Sequence, residues 1–474
     1  MKGDKALICL YTDSGSPHRI KTGKETWSYV TVRDGAYMFF WLYYTTADVD
    51  YKTRPLVLWL QGGPGASSTG IGNFLEIGPQ DVVLNNRTNA WTEQVNILFV
   101  DNPVGTGFSY VNDTSLLARN NSEIANDLVA FMKGFLTKVP EFETVPLYIF
   151  AESYGGKMAV KFAQALRKAV EAKKIKCQLA GVALGDSWIS PVDAVDSWGP
   201  FLYATSLVDS IGLSQINTKA KAVAAAVAAG KMENATMLWS ETEELVENVT
   251  NGVNFYNILS PPEDSLSVEE VGVEDAKDIT NSYSNHIMGP FATPEITRLS
   301  TRAPIPKHKF SSHQIEYLYN RRVGKVSAVL DKLMNGPIRD KLKIIPVNVT
   351  WGGQSASVFE ALSSDFMSSA VQDVEMLLNN TSIKVIVYNG QLDLIVDTPG
   401  VEKWVENLQW PGITPWLNAP RKPLETASGR TTAFTKSYKN FYFYWIMDAG
   451  HMVPSDNSDV ALKMMKEIVG IKSR

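Results

Sequence analysis

The first part of the chain alternates short apolar segments with amphipathic ones. The apolar segments AYMFFWLYY, LVLWL, VNILFV, LYIF and AGVALGD are typical of buried strands. Helical patterns lie between them, around Ser122 to Lys138 and from Gly156 to Lys173. Strands that alternate with helices favour a largely parallel sheet with helices on both faces, so we predict an α/β core.

The alternation stops near residue 190 and returns about 190 residues later. INTKAKAVAAAVAAGKMENATMLWSETEELVENV predicts two helices, and a polar, Pro- and Ser-rich loop follows at about 261–313. The strand-like segments IKVIVYNG and NFYFYWIMDAG come later, separated by a loop-rich stretch from Pro399 to Arg430. We therefore predict four parts: an N-terminal extension (1–25), a first core part (26–190), a mainly helical cap insertion (191–345) and a second core part (346–474).

Composition narrows the classes of function. The 474 residues are 45% hydrophobic and carry a formal net charge of −5, with no basic stripe interleaved with aromatic residues, so nothing favours a nucleic-acid partner. No apolar run reaches the roughly 20 residues of a membrane helix. Cys9 and Cys177 are too few for a disulfide framework and too isolated for a metal site, and we predict neither a metal nor a cofactor.

Two signals about the cellular compartment conflict. The apolar stretch near the N-terminus is shorter than the roughly 7–15 residues of a secretory leader, whereas sequons for N-glycosylation are frequent. A leader encoded upstream of Met1 would reconcile them, so we expect a secreted or lysosomal glycoprotein. The candidate sites are Asn86, Asn112, Asn120, Asn234, Asn248, Asn348, Asn379 and Asn380.

Ser153 lies in AESYGG, between a strand-like and a helix-like segment. The pattern small-x-Ser-x-Gly in this position is typical of a nucleophile elbow, with Ala151 at the first small position. A serine held at positive φ on such a turn projects its hydroxyl above the sheet. An ordinary βα loop with a solvent-facing serine fits the hexapeptide equally well.

A serine nucleophile needs a base, which is usually histidine. His451 directly follows the strand-like FYFYWIMDA and is flanked by Gly450 and Pro454, although a buried structural histidine would fit the same pattern. The other four histidines lie in polar segments, where mobility would spoil the geometry: His18, His286, His308 and His313.

The acid that orients the histidine is expected between the serine and the histidine, the chain order of α/β-hydrolases. Asp393 follows the Asn389-Gly390 turn and is the preferred candidate. Asp397 lies past a second apolar run and is expected to be structural or on the surface. Asp448 is expected on its strand, and Asp186 precedes the insertion, on the wrong side of it.

An oxyanion hole is the remaining requirement for acyl transfer. LVLWLQGGPGASSTG runs from a strand into a glycine-rich turn, which would offer one backbone N–H, and the residue after the nucleophile, Tyr154, would offer the other. A plain tight turn explains GGPG as well. A phosphate-binding loop is disfavoured because no Gly-Lys-Ser/Thr follows.

Together these motifs resemble the serine carboxypeptidase family from about Thr26 onward: WLQGGPGASS, FLEIGP, FVDNPVGTGFSYV, IFAESYGGKMA, GVALGDSWISP, VYNGQLDLIVDT and AGHMVPSD. The resemblance implies an α/β-hydrolase fold with a helical insertion. It implies the triad Ser153, Asp393 and His451, and an oxyanion hole formed by the backbones of Gly63 and Tyr154. It further implies peptide substrates whose free C-terminal carboxylate is held by Trp59, Gln61, Gly62, Glu76 and Glu152.

Carboxyl groups that hold a carboxylate repel it when all are ionised, so at least one must carry a proton and acidic pH should favour binding. Three features depart from the family pattern: Gln61 replaces the common Asn, Ala151 replaces the elbow glycine, and two cysteines cannot form the family's multiple disulfides. The expected activity is that of a serine carboxypeptidase, as a monomer or homodimer. A serine esterase or acyltransferase on the same fold, and a weakly active or inactive binding or protective protein, remain alternatives.

Overall fold

The computed structural model describes residues 9–11, 23–261, 326–426 and 428–471. The predicted polar loop at about 261–313 lies almost entirely outside these residues, as does most of the N-terminal extension. His18, His286, His308 and His313 also lie outside them.

The described strands form one twelve-stranded sheet in the order β1-β2-β3-β5-β4-β7-β8-β9-β12-β11-β10, with β6 paired to β3. The strands are β1 (Cys9–Tyr11), β2 (Glu25–Arg33), β3 (Ala36–Tyr43), β4 (Leu56–Leu60), β5 (Asn96–Val100), β6 (Tyr110–Val111), β7 (Pro146–Glu152), β8 (Gln178–Gly185), β9 (Lys384–Gly390), β10 (Lys422–Glu425), β11 (Thr431–Tyr438) and β12 (Phe441–Ile446).

The centre of the sheet is parallel, as the alternation of strands and helices predicted. The neighbouring strands β5, β4, β7, β8, β9 and β12 all run in one direction, whereas the strands outside them pair antiparallel. Because the carboxyl ends of parallel strands meet at one edge, the loops after β7, β8, β9 and β12 are brought side by side.

The helices are α1 (Asn121–Lys138), α2 (Gly155–Glu171), α3 (Pro191–Ala204), α4 (Ser210–Ala228), α5 (Met232–Thr250), α6 (Val326–Leu333), α7 (Arg339–Leu342), α8 (Ala356–Ala361), α9 (Ser363–Phe366), α10 (Val371–Asn380), α11 (Thr398–Glu406), α12 (Ile413–Leu417), α13 (Val453–Asp456) and α14 (Ser458–Val469). Two π-helices cover Ser68–Ile77 and Met334–Ile338. Short 3-10 turns lie at Tyr51–Thr53, Trp91–Glu93, Thr114–Leu116 and Pro140–Thr144.

The predicted helices after β5 and β7 are confirmed as α1 and α2, and the two predicted after residue 190 as α4 and α5. The loop-rich interpretation of Pro399 to Arg430 was wrong in part, since α11, α12 and β10 lie there. Pro399 stands in the first turn of α11, where proline starts a helix instead of breaking one. The boundaries of the cap insertion stay a prediction.

Both faces of the sheet are buried. Along β3, Phe40 and Leu42 belong to a core shared with α1 and α2, whereas Phe39 and Trp41 point into a second core that includes residues of α14. Alternate side chains of a strand face opposite ways, so this pattern requires helices on both sides. Among the described helices, none is long and apolar enough to span a bilayer.

Candidate active site

Ser153 occupies the sharp turn between β7 and α2. Its φ is +59°, a left-handed conformation that is uncommon for a residue with a Cβ atom. Its N–H donates to Gly185 O (3.1 Å), and its carbonyl accepts from the N–H of Gly156 (3.0 Å) and Trp188 (2.9 Å). A Cβ atom at Gly156 would lie 2.3 Å from Ser187 Oγ, so the small residue there lets the helix approach β8. The structure thus has the strained strand-turn-helix geometry that the sequence motif predicted.

Asp393 and His451 meet at the ends of β9 and β12. His451 Nδ1 lies 2.8 Å from Asp393 Oδ2, and both side chains are fully buried. The N–H of Val396 donates to Asp393 Oδ1 (3.1 Å). Burial raises the pKa of the Asp393 carboxyl above its ordinary value. The preferred acid and base are therefore in direct contact.

The structure also brings Asp186 to this pair, although the sequence placed it on the wrong side of the insertion. One carboxylate oxygen of Asp186, one of Asp393 and a ring nitrogen of His451 lie within 4.8 Å of one another. Gly185 of β8 is paired with Tyr388 of β9, so the residues that follow these parallel strands are neighbours despite their separation in sequence. Sequence reasoning missed this acid; its position directly after a strand of the parallel core was the available signal.

The two other acids that were considered have partners of their own. Asp397 caps α11, accepting from Gly400 N (2.7 Å) and Ser197 Oγ (2.8 Å), and its burial raises its pKa to about 8. This agrees with the expected structural role. Asp448 was expected on its strand, but β12 ends at Ile446, and Asp448 has a φ of +55° and pairs with Arg430. The strand ends because the chain turns there towards His451.

The segment 253–258, which follows α5, runs between the loops that carry the acid and the histidine. Phe255 O accepts from the N–H of Leu394 (3.0 Å) and of Ile395 (2.9 Å). Tyr256 O accepts from His451 N (2.7 Å), and the Tyr256 ring packs edge-on against the imidazole at 5.1 Å. The segment that follows a helix of the predicted cap therefore holds both loops in place.

The glycine-rich turn after β4 lies against the nucleophile. A Cβ atom at Gly62 would lie 2.5 Å from Ser153 Cβ and 2.9 Å from Tyr154 N, and Gly63 has a φ of +108° that favours glycine. The sequence WGGQ (351–354) braces this turn from the second core part: Ser67 N donates to Gly353 O (3.0 Å), and the Gln354 amide donates to Pro64 O. Gly62 and Tyr154 N are thus brought together beside Ser153, and Gly63 is the next residue of the turn.

The side chain of Tyr154 is fixed by a buried polar cluster. Its hydroxyl donates to Asp365 Oδ2 (2.7 Å) and accepts from Asn121 Nδ2 (2.9 Å). Lys157 Nζ lies 3.3 Å from Asp365 Oδ2 and donates to the Asp365 carbonyl (2.6 Å). Burial lowers the pKa of Lys157 to about 8. This cluster, absent from the sequence predictions, anchors the first turn of α2 and with it the Tyr154 N–H.

Trp59, Gln61, Glu76 and Glu152 form a connected buried group. Trp59 Nε1 donates to Gln61 Oε1 (2.7 Å), and Gln61 Nε2 donates to Glu152 Oε1 (2.7 Å) and Glu76 Oε1 (3.0 Å). One amide thus bridges two carboxyl groups, one of which belongs to the residue directly before Ser153. The Gln61 side chain is long enough to reach both acids.

Asp101 holds the π-helix that carries Glu76. Its carboxylate accepts from Ser67 Oγ (2.7 Å), from Thr69 N (3.0 Å) and Oγ1 (2.8 Å), and from Phe108 N (2.9 Å). Burial raises the pKa of Asp101, and these hydrogen bonds oppose the rise. The start of the helix is therefore tied to the end of β5.

The sequons lie at the surface of the described chain. Seven of the eight asparagines are exposed, and Asn120 is half-buried, its Oδ1 accepting from Glu123 N (3.0 Å) as the cap of α1.

With this geometry in view, comparisons with known proteins identify the class. The chain belongs to the serine carboxypeptidase family, whose family model matches residues 17–470. It is 48% identical to the retinoid-inducible serine carboxypeptidase of Rattus norvegicus, over 97% of this chain and 94% of that protein. Identity to its Homo sapiens counterpart is 48% over 94% and 91%, and to serine carboxypeptidase-like 51 of Arabidopsis thaliana 42% over 98% and 96%.

Among solved structures, the chain resembles Kex1(Δ)p, a prohormone-processing carboxypeptidase from Saccharomyces cerevisiae. The TM-score is 0.74 at 21% identity, covering 96% of this chain and 92% of that one, which shows a shared fold. The predicted family and the α/β-hydrolase fold are both confirmed.

Proposed function

We propose that this protein is a serine carboxypeptidase that releases C-terminal residues from peptides through an acyl-enzyme. The buried contact between His451 Nδ1 and Asp393 Oδ2 carries the proposal. It lies at the sheet edge where the Ser153 turn and the group bridged by Gln61 also lie. Family membership supports the same activity.

In the proposed mechanism, His451 Nε2 takes the proton of Ser153 Oγ as the oxygen attacks the scissile carbonyl carbon. Asp393 accepts from Nδ1–H, which keeps the proton off Nε2 so that Nε2 can act as the base, and Asp393 also stabilises the imidazolium. The N–H groups of Gly63 and Tyr154 donate to the oxyanion. His451 then protonates the departing amine, and a water molecule activated in the same way releases the acyl group.

The group bridged by Gln61 is proposed to bind the C-terminal carboxylate of the peptide, with the N–H of Gly62 beside it. Glu76 and Glu152 are both buried and share one amide donor, so a third carboxylate can enter only when a proton neutralises part of the charge. Acidic pH should therefore lower KM. This preference, together with the exposed sequons, supports a secreted or lysosomal glycoprotein that acts on peptides.

A fluorophosphonate probe and a peptide digest at about pH 5 test the proposal. The probe should label the protein, and Ser153→Ala should abolish labelling and reduce kcat on the order of 10⁶-fold. Ser187→Ala is the matched control, because Ser187 is also buried at this edge of the sheet but its hydroxyl donates to Gly185 O (3.0 Å).

Peptides with a free C-terminus should lose their last residue, whereas C-terminally amidated peptides should stay intact. Hydrolysis of esters without release from peptides would favour the esterase alternative. A folded protein without labelling or product would favour the binding or protective alternative.

A further inference from the structure

We propose that Asp186 is a positioning residue which, as a neutral acid, donates a hydrogen bond to Asp393 and holds the orienting carboxylate of the triad. The inference rests on the proposed function, in which Asp393 orients His451. It assigns a role to an acid that the reaction itself does not require.

An oxygen of the Asp186 carboxyl lies within 4.8 Å of an oxygen of the Asp393 carboxyl at the ends of β8 and β9, and the two side chains interact there. Asp186 is fully buried, and its backbone is fixed because its N–H donates to Tyr388 O (2.9 Å). Gly390 N donates to Asp186 Oδ1 (2.7 Å). A contact between two carboxyl oxygens is attractive only when a proton lies between them.

The supply of donors indicates which acid holds the proton. Asp393 accepts at both oxygens, from Val396 N at Oδ1 and across the short contact with His451 Nδ1 at Oδ2. Asp186 accepts at Oδ1 alone, and no donor of the described residues reaches its buried Oδ2. The donors stabilise the negative charge on Asp393, so the shared proton belongs on Asp186 Oδ2.

The ionisable groups around Asp186 favour its neutral form. Besides Asp393 and His451, they are Glu152 at the end of β7, Asp456 at the end of α13 and Tyr388 on β9; Asp397 faces Asp393 from the start of α11. Burial, followed by the charges of Glu152 and Asp456, raises the pKa of Asp186 well above its ordinary value. With the proton, the Asp186 and Asp393 pair carries one charge beside the imidazole instead of two.

Asp186→Asn is the mimic of the neutral acid. An asparagine accepts from Gly390 N through Oδ1 and donates to Asp393 through Nδ2, and asparagine tolerates the positive φ of this position, +43°. Asp186→Ala removes the donor. Asp397→Asn is the matched control, because it neutralises another buried acid of raised pKa, whose carboxylate accepts from Gly400 N and Ser197 Oγ at the start of α11.

The first measurement is thermal unfolding between about pH 4.5 and 7.5, which does not depend on activity. A carboxyl whose pKa is raised by folding contributes stability at low pH that is lost as pH rises above its unfolded value of about 3.9. Asp186→Asn avoids this loss, so its Tm relative to the wild type should increase with pH by several degrees. A Tm difference that is negative and independent of pH would mean that Asp186 is ionised, which would overturn the shared proton.

The second measurement is the pH profile of peptide hydrolysis, normalised to the fraction that a fluorophosphonate labels. Asp186→Asn should keep kcat within about threefold, whereas Asp186→Ala should lower kcat on the order of 10-fold with KM unchanged. The acid limb of kcat/KM should move to higher pH in Asp186→Ala. Without the hydrogen bond from Asp186, the negative charge of Asp393 stabilises the imidazolium of His451 more strongly. Asp397→Asn should leave this limb in place.

Equal losses of kcat in the Asn and Ala variants, or wild-type kcat in Asp186→Ala, would overturn the positioning role. If Asp186→Ala does not fold, Asp186→Asn alone still tests the proposal. Its Tm relative to the wild type should increase with pH, and its acid limb of kcat/KM should stay where it is in the wild type. A wild-type protein without labelling would contradict the proposed function, while the unfolding measurement would still test the shared proton.

Discussion

Two pairs of buried acids, Glu76 with Glu152 and Asp186 with Asp393, are held in different ways. Glu76 and Glu152 contact the same donor, the Nε2 of Gln61. Asp186 and Asp393 contact each other, with separate backbone donors from Gly390 and Val396. The first pair is bridged by an amide, and the second by a proton.

This difference matches the two tasks that we propose for carboxyl groups in this site. An amide bridge leaves the number of protons on Glu76 and Glu152 free to change, which suits a site that must admit a third carboxylate at acidic pH. A direct contact fixes one proton and one charge, which suits an acid that must keep a histidine oriented during catalysis. The substitutions below first remove the amide of Gln61, then the charge of Glu76, and then the charge of Asp456, which faces both pairs.

The largest effect is expected from Gln61→Met, which keeps the length of the side chain but removes the amide. Glu76, Glu152 and Trp59 Nε1 each lose a partner, and an unsatisfied buried polar group costs about 1–3 kcal/mol. Peptide KM should rise on the order of 100-fold, with fluorophosphonate labelling of Ser153 nearly unchanged.

Gln164→Met is the control for this substitution. Gln164 is a buried glutamine on α2 whose amide donates to Asp373, and its loss should leave KM unaltered. An unchanged KM in Gln61→Met would refute the binding role of the bridge.

A smaller effect is expected from Glu76→Gln. The wild-type KM should rise roughly 10-fold between about pH 5 and pH 7.5, as the proton that neutralises part of the charge of Glu76 and Glu152 is lost. Glutamine keeps the shape and cannot ionise, so the KM of the variant should be nearly independent of pH. KM measured with an N-acyl dipeptide at several pH values checks this. If the KM of the variant depends on pH as strongly as that of the wild type, Glu76 does not contribute to the pH dependence of binding.

The smallest effect is expected from Asp456→Asn. Asp456 faces Glu152 and Asp186, and its Oδ2 accepts from Gly450 N (2.7 Å) and Asn257 Nδ2 (3.0 Å). Burial raises its pKa to about 6, so its contribution to stability is present below about pH 4 and is lost as pH rises through 6.

The Tm of Asp456→Asn relative to the wild type should therefore increase by a few degrees between about pH 4 and 6.5. Asp459→Asn, an exposed acid on the adjacent α14, should show no such trend. A Tm difference that falls over this interval would reverse the assigned sign.

Local sequence pattern was sufficient to predict the strained turn at Ser153 and to select Asp393 and His451, which are in contact. The turn at Ser153 follows from a strand, small residues and a helix within about ten positions, and Asp393 and His451 each follow a strand-like segment directly. The family resemblance then selected Glu76 and Glu152, which periodicity alone would not distinguish from other acids. The sequence motif that identifies each of these positions lies within a short stretch of the chain.

Asp186 and Lys157 show that short sequence motifs do not reveal contacts between distant parts of the chain. Asp186 contacts Asp393 only because β8 and β9 are neighbours, and the insertion between them gave the opposite impression. Lys157 meets Asp365 because α9 packs against the start of α2, a contact between residues more than 200 positions apart. Both are buried ionisable groups whose partners are defined by sheet order and packing, which the sequence pattern does not specify.

The segment 253–258 has a consequence for how this enzyme can be altered. Its carbonyl groups hold the backbone of the loops that carry Asp393 and His451, through Phe255 and Tyr256. An exchange of the insertion between relatives, made to change substrate preference, must therefore keep these six residues with the recipient's own loops. Chimaeras in which the foreign segment ends before residue 253 keep the recipient's own residues 253–258 and should preserve turnover. Chimaeras in which the foreign segment extends past residue 258 should lose turnover and cooperative unfolding.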